Sequence, residues 1–327
     1  MPDSSPLRAA APAAAPGTPP TDPHHLLISY AACTAQGCQQ VLADLPLPHL
    51  QALLARLRPE DSDPGSELDF ALPHERALAR ALQLPTPATP WAAWEAAEGP
   101  EACAWISPCH WEVGAEVVRL LDPQALALSE AESRTLLAIL APWFEEDGIR
   151  LDYVAPMRWL ARGRPFEGLE TAALDRVQGR DVRQWMPRGP QAGMLHRLHS
   201  EMQMLLYTHG FNDARSERRL EPVNAFWVHG AGSLPQRPAP ASQPCTDHRL
   251  RDAALREDWA AWRSAWSALD AGPIAELAAR AAQGQAVRLT LCGERSAQSW
   301  ASAPRSLWQQ VQGLFGRKFL PDVLFKL

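Results

Sequence analysis

Apolar residues recur along this chain at two different spacings, and the alternation between them predicts strands and helices in turn. The run HLLISYA, His25 to Ala31, predicts a first strand. Leu45, Leu50, Leu53, Leu54 and Leu57 lie near helical spacing and predict a helix over Asp44 to Arg58, with Pro46 and Pro48 at its start. The acidic stretch PEDSDPGSE reads as a loop leading to a helix built on Pro73, Ala77, Leu78 and Leu82. A short helix is expected around Trp91 and Trp94. Cys103 to Leu121 predicts two strands with Pro108 at the turn between them. Ser129 and Glu132 make a capping box that opens a helix through Leu136, Leu137, Leu140 and Trp143. Ile149 to Val154 predicts another strand, and Arg158 to Arg164 an edge strand or a loop.

A helix from Pro190 to His209 buries Leu195, Leu198, Met202, Leu205 and Leu206. It runs into an Asn/Asp/Arg-rich turn and then a buried strand, Val223 to Val228, that ends in a glycine loop. Leu255, Trp259, Trp262, Trp266 and Leu269 keep an unbroken helical spacing up to Gly272 and Pro273. Ile274 to Ala282 predicts a further helix, Ala286 to Cys292 a strand, and Leu307 to Leu314 an amphipathic close. The pattern favours an α/β or α+β fold, a mixed sheet with helices packed on it. It divides into a disordered Ala/Pro-rich tail over 1–23, an α/β domain over 24–235 and a surface linker over 236–246. The remainder, 247–327, is a helical segment with a C-terminal strand, packed on the main domain.

Composition narrows the function classes. A net charge of −6 argues against nucleic acid as a partner, which requires a clustered basic face. No apolar run approaches the roughly 20 residues of a membrane helix, and the N-terminus lacks the basic-then-apolar order of a secretory signal. Six scattered cysteines do not form a disulfide framework, so a cytoplasmic protein with reduced thiols is expected. Cys33, Cys38, Cys103, Cys109 and His110 lack zinc spacing and read as small buried residues. No metal site or cofactor is identified.

Candidate chemistry concentrates between Gly189 and Pro235. His196 and His199 are three apart on one helix, with His209 at its end. Asn212 and Arg215 follow, Asn224 precedes the buried strand, and His229, Gly230 and Gly232 leave it. Arginine can hold a phosphate or carboxylate by paired hydrogen bonds, and a glycine loop can turn backbone N–H groups toward an anion. A phosphorylated or carboxylated small molecule is therefore the expected ligand of His199, His209, Asn212, Arg215, Asn224, His229, Gly230 and Gly232. Cys292, Glu294 and Arg295, in the loop after the last strand, form a secondary candidate. Trp259, Trp262 and Trp266 make either a core stripe or the seam of a homodimer.

Gly179 to Gly232 resembles part of the cofactor-independent phosphoglycerate mutases of the short archaeal and bacterial type. The matching residues are Arg180 to Pro187, the helix from Leu195, His209 to Arg215 (HGFNDAR) and Pro222 to Gly232 (PVNAFWVHGAG). Leu45 to Leu50, Pro73 to Glu75, Leu121 to Pro123, Glu201 to Met204 and Thr290 to Arg295 resemble a set of proteobacterial Rpf-type regulatory proteins. The mutase resemblance implies a fold related to part of the alkaline-phosphatase-like mutase architecture, in which divalent metal and a Ser or Thr nucleophile carry phosphoryl transfer. The chain departs from that pattern. It has no DG-type metal aspartate near its start and no GxTN or DxxxH motif after Gly232, and Gly210 and Phe211 stand where the family has Pro and Val. The resemblance thus implies a mutase-like protein without mutase catalysis, acting as a regulatory or anionic-metabolite-binding protein. An active mutase interconverting 2- and 3-phosphoglycerate is the first alternative, and a protein-interaction module the second.

Overall fold

The computed structural model describes residues 19–96, 99–302 and 323–327, and in it the first and last of the described strands belong to one sheet. The strands are β1 (Thr21–Ile28), β2 (Arg58–Asp63), β3 (Cys103–Cys109), β4 (Trp111–Val113), β5 (Val118–Leu120), β6 (Arg150–Ala155), β7 (Arg158–Arg162), β8 (Ala225–Gly232), β9 (Gln243–Asp247), β10 (Arg288–Cys292) and β11 (Ala297–Ala301). The helices are α1 (Gln36–Ala43), α2 (Pro48–Leu54), α3 (Pro73–Ala81), α4 (Trp91–Ala96), α5 (Glu130–Glu146), α6 (Leu174–Val177), α7 (Ala192–Tyr207), α8 (Gly210–Glu217), α9 (Arg251–Leu255), α10 (Trp259–Leu269) and α11 (Ala275–Ala282). The five-stranded sheet has the order β2-β11-β10-β1-β9; β1 runs parallel to β9 and β10, while β11 and β2 are antiparallel. The four-stranded sheet, β6-β7-β3-β8, is antiparallel throughout.

Alternation along the strands decides what packs where. Leu26 and Ile28 of β1 and Leu289 and Leu291 of β10 join Trp262, Trp266, Leu50 and Leu277 in a core beneath α1, α2, α10 and α11. Leu27 and Cys292 face the other way, onto Ala77 of α3. In the second sheet Ile106, Trp159, Phe226 and Val228 pack on Leu136, Leu140, Leu195 and Met202 of α5 and α7. The opposite face carries Trp105 and Leu160 against Ala79 and Trp94, and Trp227 against Ala172, Val177 and Trp185. The order is helices, sheet, a middle layer of α3, α4, α6 and loops, sheet, helices. This is the mixed α/β architecture expected.

Several local expectations change. β1 begins at Thr21, inside the stretch expected as tail, and residues 1–18 lie outside the described residues. PEDSDPGSE was expected as a loop, but its first residues pair with β11 as β2, an edge strand exposed along nearly its whole length and so without an alternating apolar signal. Pro108 lies within β3, not at a turn; β7 pairs with β3 only from Cys103 to Ile106, so at Pro108 one side of the strand is unpaired. The second strand expected there is instead the short β4-β5 hairpin. Arg158 to Arg162 is the interior strand β7, flanked by β6 and β3. The Asn/Asp/Arg turn is the helix α8, capped by His209. The expected linker leads into β9, which lies beside β1. Leu307 to Leu314 falls outside the described residues. Among the described residues no helix is long and apolar enough to cross a membrane.

Candidate functional site

The residues singled out in the sequence are mostly spent on holding the fold. Asn212 is buried, donating from Nδ2 to the Leu206 and Val223 carbonyls at 2.9 Å and accepting the Val223 N–H at 3.0 Å. Asn224 accepts the Trp111 N–H at 2.7 Å and donates to the Trp111 carbonyl at 2.9 Å, pinning β4 to β8. Arg215, 1% exposed, donates to the Glu221 carbonyl, to Glu132 and to the Leu126 carbonyl. His209 accepts the Phe211 N–H and caps α8. His199 is buried between Phe226 and Trp111 rings, with its ring nitrogens 2.9 and 2.7 Å from the Leu195 and Phe226 carbonyls. Burial lowers it to about 4, against the two carbonyls, which favour the charged form. His196 Nε2 lies 3.2 Å from the Pro187 carbonyl. These residues do not converge on one pocket. His209 and Arg215 share an apolar groove beside α5, while Gly230 lines a separate cleft in the middle layer.

His229 faces that middle layer, 3.1 Å from Ser107 Oγ, and is lowered to about 4 by burial and by Arg158. Gly230 (φ 61°) runs so close to α4 that a Cβ would meet Trp91 Cβ at 3.0 Å, and Gly232 (φ 138°) similarly faces Pro90. Of the secondary candidates, Cys292 is buried with its thiol pushed up by burial, and Arg295 reaches Glu67 at 3.4 Å. Glu294 is held by the Thr34 N–H at 2.9 Å and hydroxyl at 2.6 Å, and pairs with Arg180. Burial works against its charge, but those partners keep its carboxyl low.

The cleft opens beside the end of β2, on the side of the sheet where the parallel strands β1, β9 and β10 also end. Asp63, at the end of β2, pairs with Ala297, which pairs with Cys292 at the end of β10. The cavity holds about 370 Å³, enough for a small metabolite. Its lining includes Asp63, Asp69, Glu75, Arg76, Glu170 and Arg188, with Phe70, Trp91 and Thr171. Arg76 is already committed: it donates to Asp63, Asp69 and the Ala71 and Arg295 carbonyls. Arg188 stacks over Phe70 at 4.4 Å and spends one nitrogen on the Gln184 carbonyl at 3.3 Å. The side chain of Glu170 has no protein partner among the described residues.

A buried polar cluster stands behind the cleft. Tyr30, just past β1, has φ 56°, a conformation that L residues other than Gly, Asn and Asp seldom adopt. Its hydroxyl donates to Asp175 at 3.1 Å, and Arg251 grips the same carboxylate with two nitrogens, one at 2.6 Å. Burial opposes the charge on Asp175, and Arg251 with Tyr30 holds it below the usual carboxylate range. His74 packs between the rings of Tyr30 and His248 and is lowered to about 3, chiefly by burial. Ser29 is buried, 2.9 Å from His248 Nδ1, and donates to the Asp247 carbonyl, so its proton serves to tie β1 to β9. Arg176 is fully buried; Nη1 donates to the Glu294 carbonyl, while Nε and Nη2 have no hydrogen-bond partner among the described residues. An unpaired buried guanidinium is costly, which marks this as the least compensated charge of the region.

Glu75 is the ionisable group that the cleft and the cluster share. Its Oε2 accepts the Leu72 N–H at 2.9 Å, and burial raises it from 4.5 to about 7, against Arg176 and Arg76. Between those values the folded state keeps a proton that the unfolded chain has released, so this group's contribution to stability falls as pH rises from 4.5 to about 7. Glu75→Gln removes the dependence while keeping the hydrogen bond to Leu72. The stability of the variant relative to wild type is expected to grow through that window, by up to about 1.4 kcal/mol per pH unit. Urea denaturation at several pH values measures it, and a flat difference would mean that Glu75 is ionised throughout.

Sequence reasoning missed most of this site. Pro73 to Glu75 stood out only through a resemblance, and Asp175, Arg176, His248, Arg251 and Arg188 carried no spacing signal. Among the described residues no three His, Cys, Asp or Glu side chains are grouped so as to hold a metal ion.

No family model matches the chain, and no curated protein matches it, so nothing there supports the Rpf-type resemblance. Among solved structures it is similar to the cofactor-independent phosphoglycerate mutase of Thermoplasma acidophilum, with 11% identity and a TM-score of 0.33 over 93% of this chain and 99% of that one. It is also similar to the PH0037 protein of Pyrococcus horikoshii, with 9% identity and a TM-score of 0.37 over 85% of this chain and 87% of that one. Both likenesses are weak, and neither assigns a role to any side chain here.

Proposed function

We propose that the protein is a regulatory metabolite-binding protein that carries no mutase activity, and that its ligand is a small carboxylate bearing a hydroxyl or amino group. The observation that carries this reading is the make-up of the middle-layer cleft. Arg188 offers uncommitted N–H groups to a carboxylate, while Glu75 and Glu170 offer oxygen to hydroxyl or amino groups. A doubly charged phosphate suits the cleft poorly. Asp63, Asp69, Glu75 and Glu170 set four carboxyl groups against the guanidinium groups of Arg76 and Arg188, and Arg76 is spent. This narrows the expected phosphorylated or carboxylated ligand to its carboxylated member.

Thermal unfolding of the full chain against hydroxy acids, amino acids and 3-phosphoglycerate tests the proposal. A true ligand at a hundred times its Kd stabilises by about 2.7 kcal/mol. Arg188→Ala is expected to weaken that ligand at least about tenfold, the worth of one charged hydrogen bond or more. Turnover of 3-phosphoglycerate, with or without added Mn²⁺, would overturn the reading in favour of an active mutase.

A further inference from the structure

Cys33 and Cys38 lie in the loop that leaves β1 and in the first turn of α1, five residues apart. The Cys33 N–H donates to Cys38 Sγ at 3.2 Å, which sets the two residues side by side, and each thiol shifts the ionisation of the other. The Cys33 carbonyl is held in turn by Gln39 Nε2 at 2.6 Å, which fixes the loop in this closed shape. Cys38 is fully buried, whereas Cys33 keeps part of its surface exposed. Sulfur pairs brought into contact by a short loop can close with little backbone movement. The first turn of a helix and a nearby N–H donor both favour thiolate at Cys38. Its pKa is lowered accordingly, first by the Cys33 thiol, while that of Cys33 is raised.

We propose that Cys33 and Cys38 form an oxidisable dithiol, a thiol–disulfide exchange site for low-molecular-weight disulfides such as glutathione disulfide. The accessible sulfur goes first. Cys33 passes its proton to the neighbouring Cys38 thiolate as it attacks one sulfur of the reagent; the reagent's S–S bond breaks, and one glutathione leaves and takes up a proton from solvent. Cys38 then attacks the Cys33 sulfur of the mixed disulfide, and the second glutathione leaves with the Cys38 proton. The dithiol is oxidised by two electrons and one glutathione disulfide is reduced to two thiols. The position gives the reaction a consequence inside the fold. Thr34 sits between the two cysteines and holds Glu294 by its N–H and its hydroxyl, and the Glu294 carbonyl is the acceptor of the buried Arg176. Closing the disulfide would add a covalent tie to the loop that fixes this acceptor.

Neither Lys nor Arg lies between Arg8 and Arg56, so one tryptic peptide carries both cysteines. The test treats the full chain, in a Cys245→Ser background that removes the exposed thiol, with glutathione disulfide and then with N-ethylmaleimide. The peptide is expected to lose two hydrogens, to take up no maleimide and to regain both alkylation sites after dithiothreitol. In Cys38→Ser, glutathione is expected to remain attached at Cys33. Full alkylation of both cysteines after oxidation, or a glutathione adduct that persists with Cys38 present, would overturn the proposal. If Cys38→Ser does not fold, the peptide mass with both cysteines present decides alone.

Discussion

Arg215→Ala is expected to lower the unfolding free energy by about 2–4 kcal/mol, the cost of leaving two backbone carbonyls without their donor, and to leave ligand binding in the middle-layer cleft unchanged. The side chain is 1% exposed and joins three parts of the second sheet's helical layer. Its Nε holds the Glu221 carbonyl at 2.9 Å, Nη1 holds Glu132 at 2.9 Å, and Nη2 holds the Leu126 carbonyl at 2.5 Å. Glu132 also completes the capping box of α5 through Ser129 and pairs with Arg218. Alanine would leave the Glu221 and Leu126 carbonyls without this donor at the junction of α5 and α8, while Glu132 keeps Ser129 and Arg218. Urea denaturation reads the loss, and calorimetric titration of the cleft ligand reads its independence. A variant of near-normal stability that no longer binds would return Arg215 to the anion-binding role its sequence context suggested.

That contrast shows how far the candidate site was legible. Asn212, Arg215 and Asn224 stood out because polar residues between apolar elements attract notice, and the same placement suits them to satisfy backbone groups at helix and strand ends. A sequence does not reveal whether a guanidinium's donors are already taken. For Arg215 they are taken by two carbonyls and Glu132. The cleft was illegible for a different reason. Glu75 and Arg188 of the cleft, and Asp175 and Arg251 behind it, come from well-separated parts of the chain, in a fold whose parallel strands β1, β9 and β10 are themselves far apart in sequence. Parallel pairing of distant strands leaves no local spacing to read.

The fold was more open to reading where one face is apolar. The capping box at Ser129 and Glu132 set the start of α5, and the spacing of Trp259, Trp262, Trp266 and Leu269 set α10, whereas Leu255, expected on the same helix, ends the separate α9. Hidden elements were those whose surroundings break the pattern. β2 is an exposed edge strand with charged residues on both faces, and β7 is an interior strand whose ends carry Arg158 and Arg162. Arg158 stacks over Trp105 and pairs with Glu95, so its charge is compatible with a place in the sheet.

Trp262→Ala is expected to cost about 3–5 kcal/mol, the range for truncating a large buried aromatic residue, and to disturb the cleft at a distance. The indole is fully buried in the core under the five-stranded sheet, edge-on to Trp259 at 6.2 Å and to Trp266 at 6.0 Å. Trp266 is fully buried too, while Trp259 keeps some exposed surface and lies so close to α1 that a Cβ on Gly37 would meet its Cδ1 at 2.3 Å. The stripe expected as a core or a homodimer seam therefore spends most of its surface within the chain. Trp262 Nε1 donates to the Tyr30 carbonyl at 3.1 Å, at the residue whose left-handed backbone sends its hydroxyl to Asp175. Trp262→Phe keeps most of the packing and loses that donor, so it separates the two effects. Phenylalanine is expected to recover most of the stability in urea, with the cleft ligand still weakened in both variants. If instead the stability loss in Trp262→Ala depends on protein concentration and sedimentation shows a dimer splitting, the indole serves a partner surface, and its path to Tyr30 is incidental.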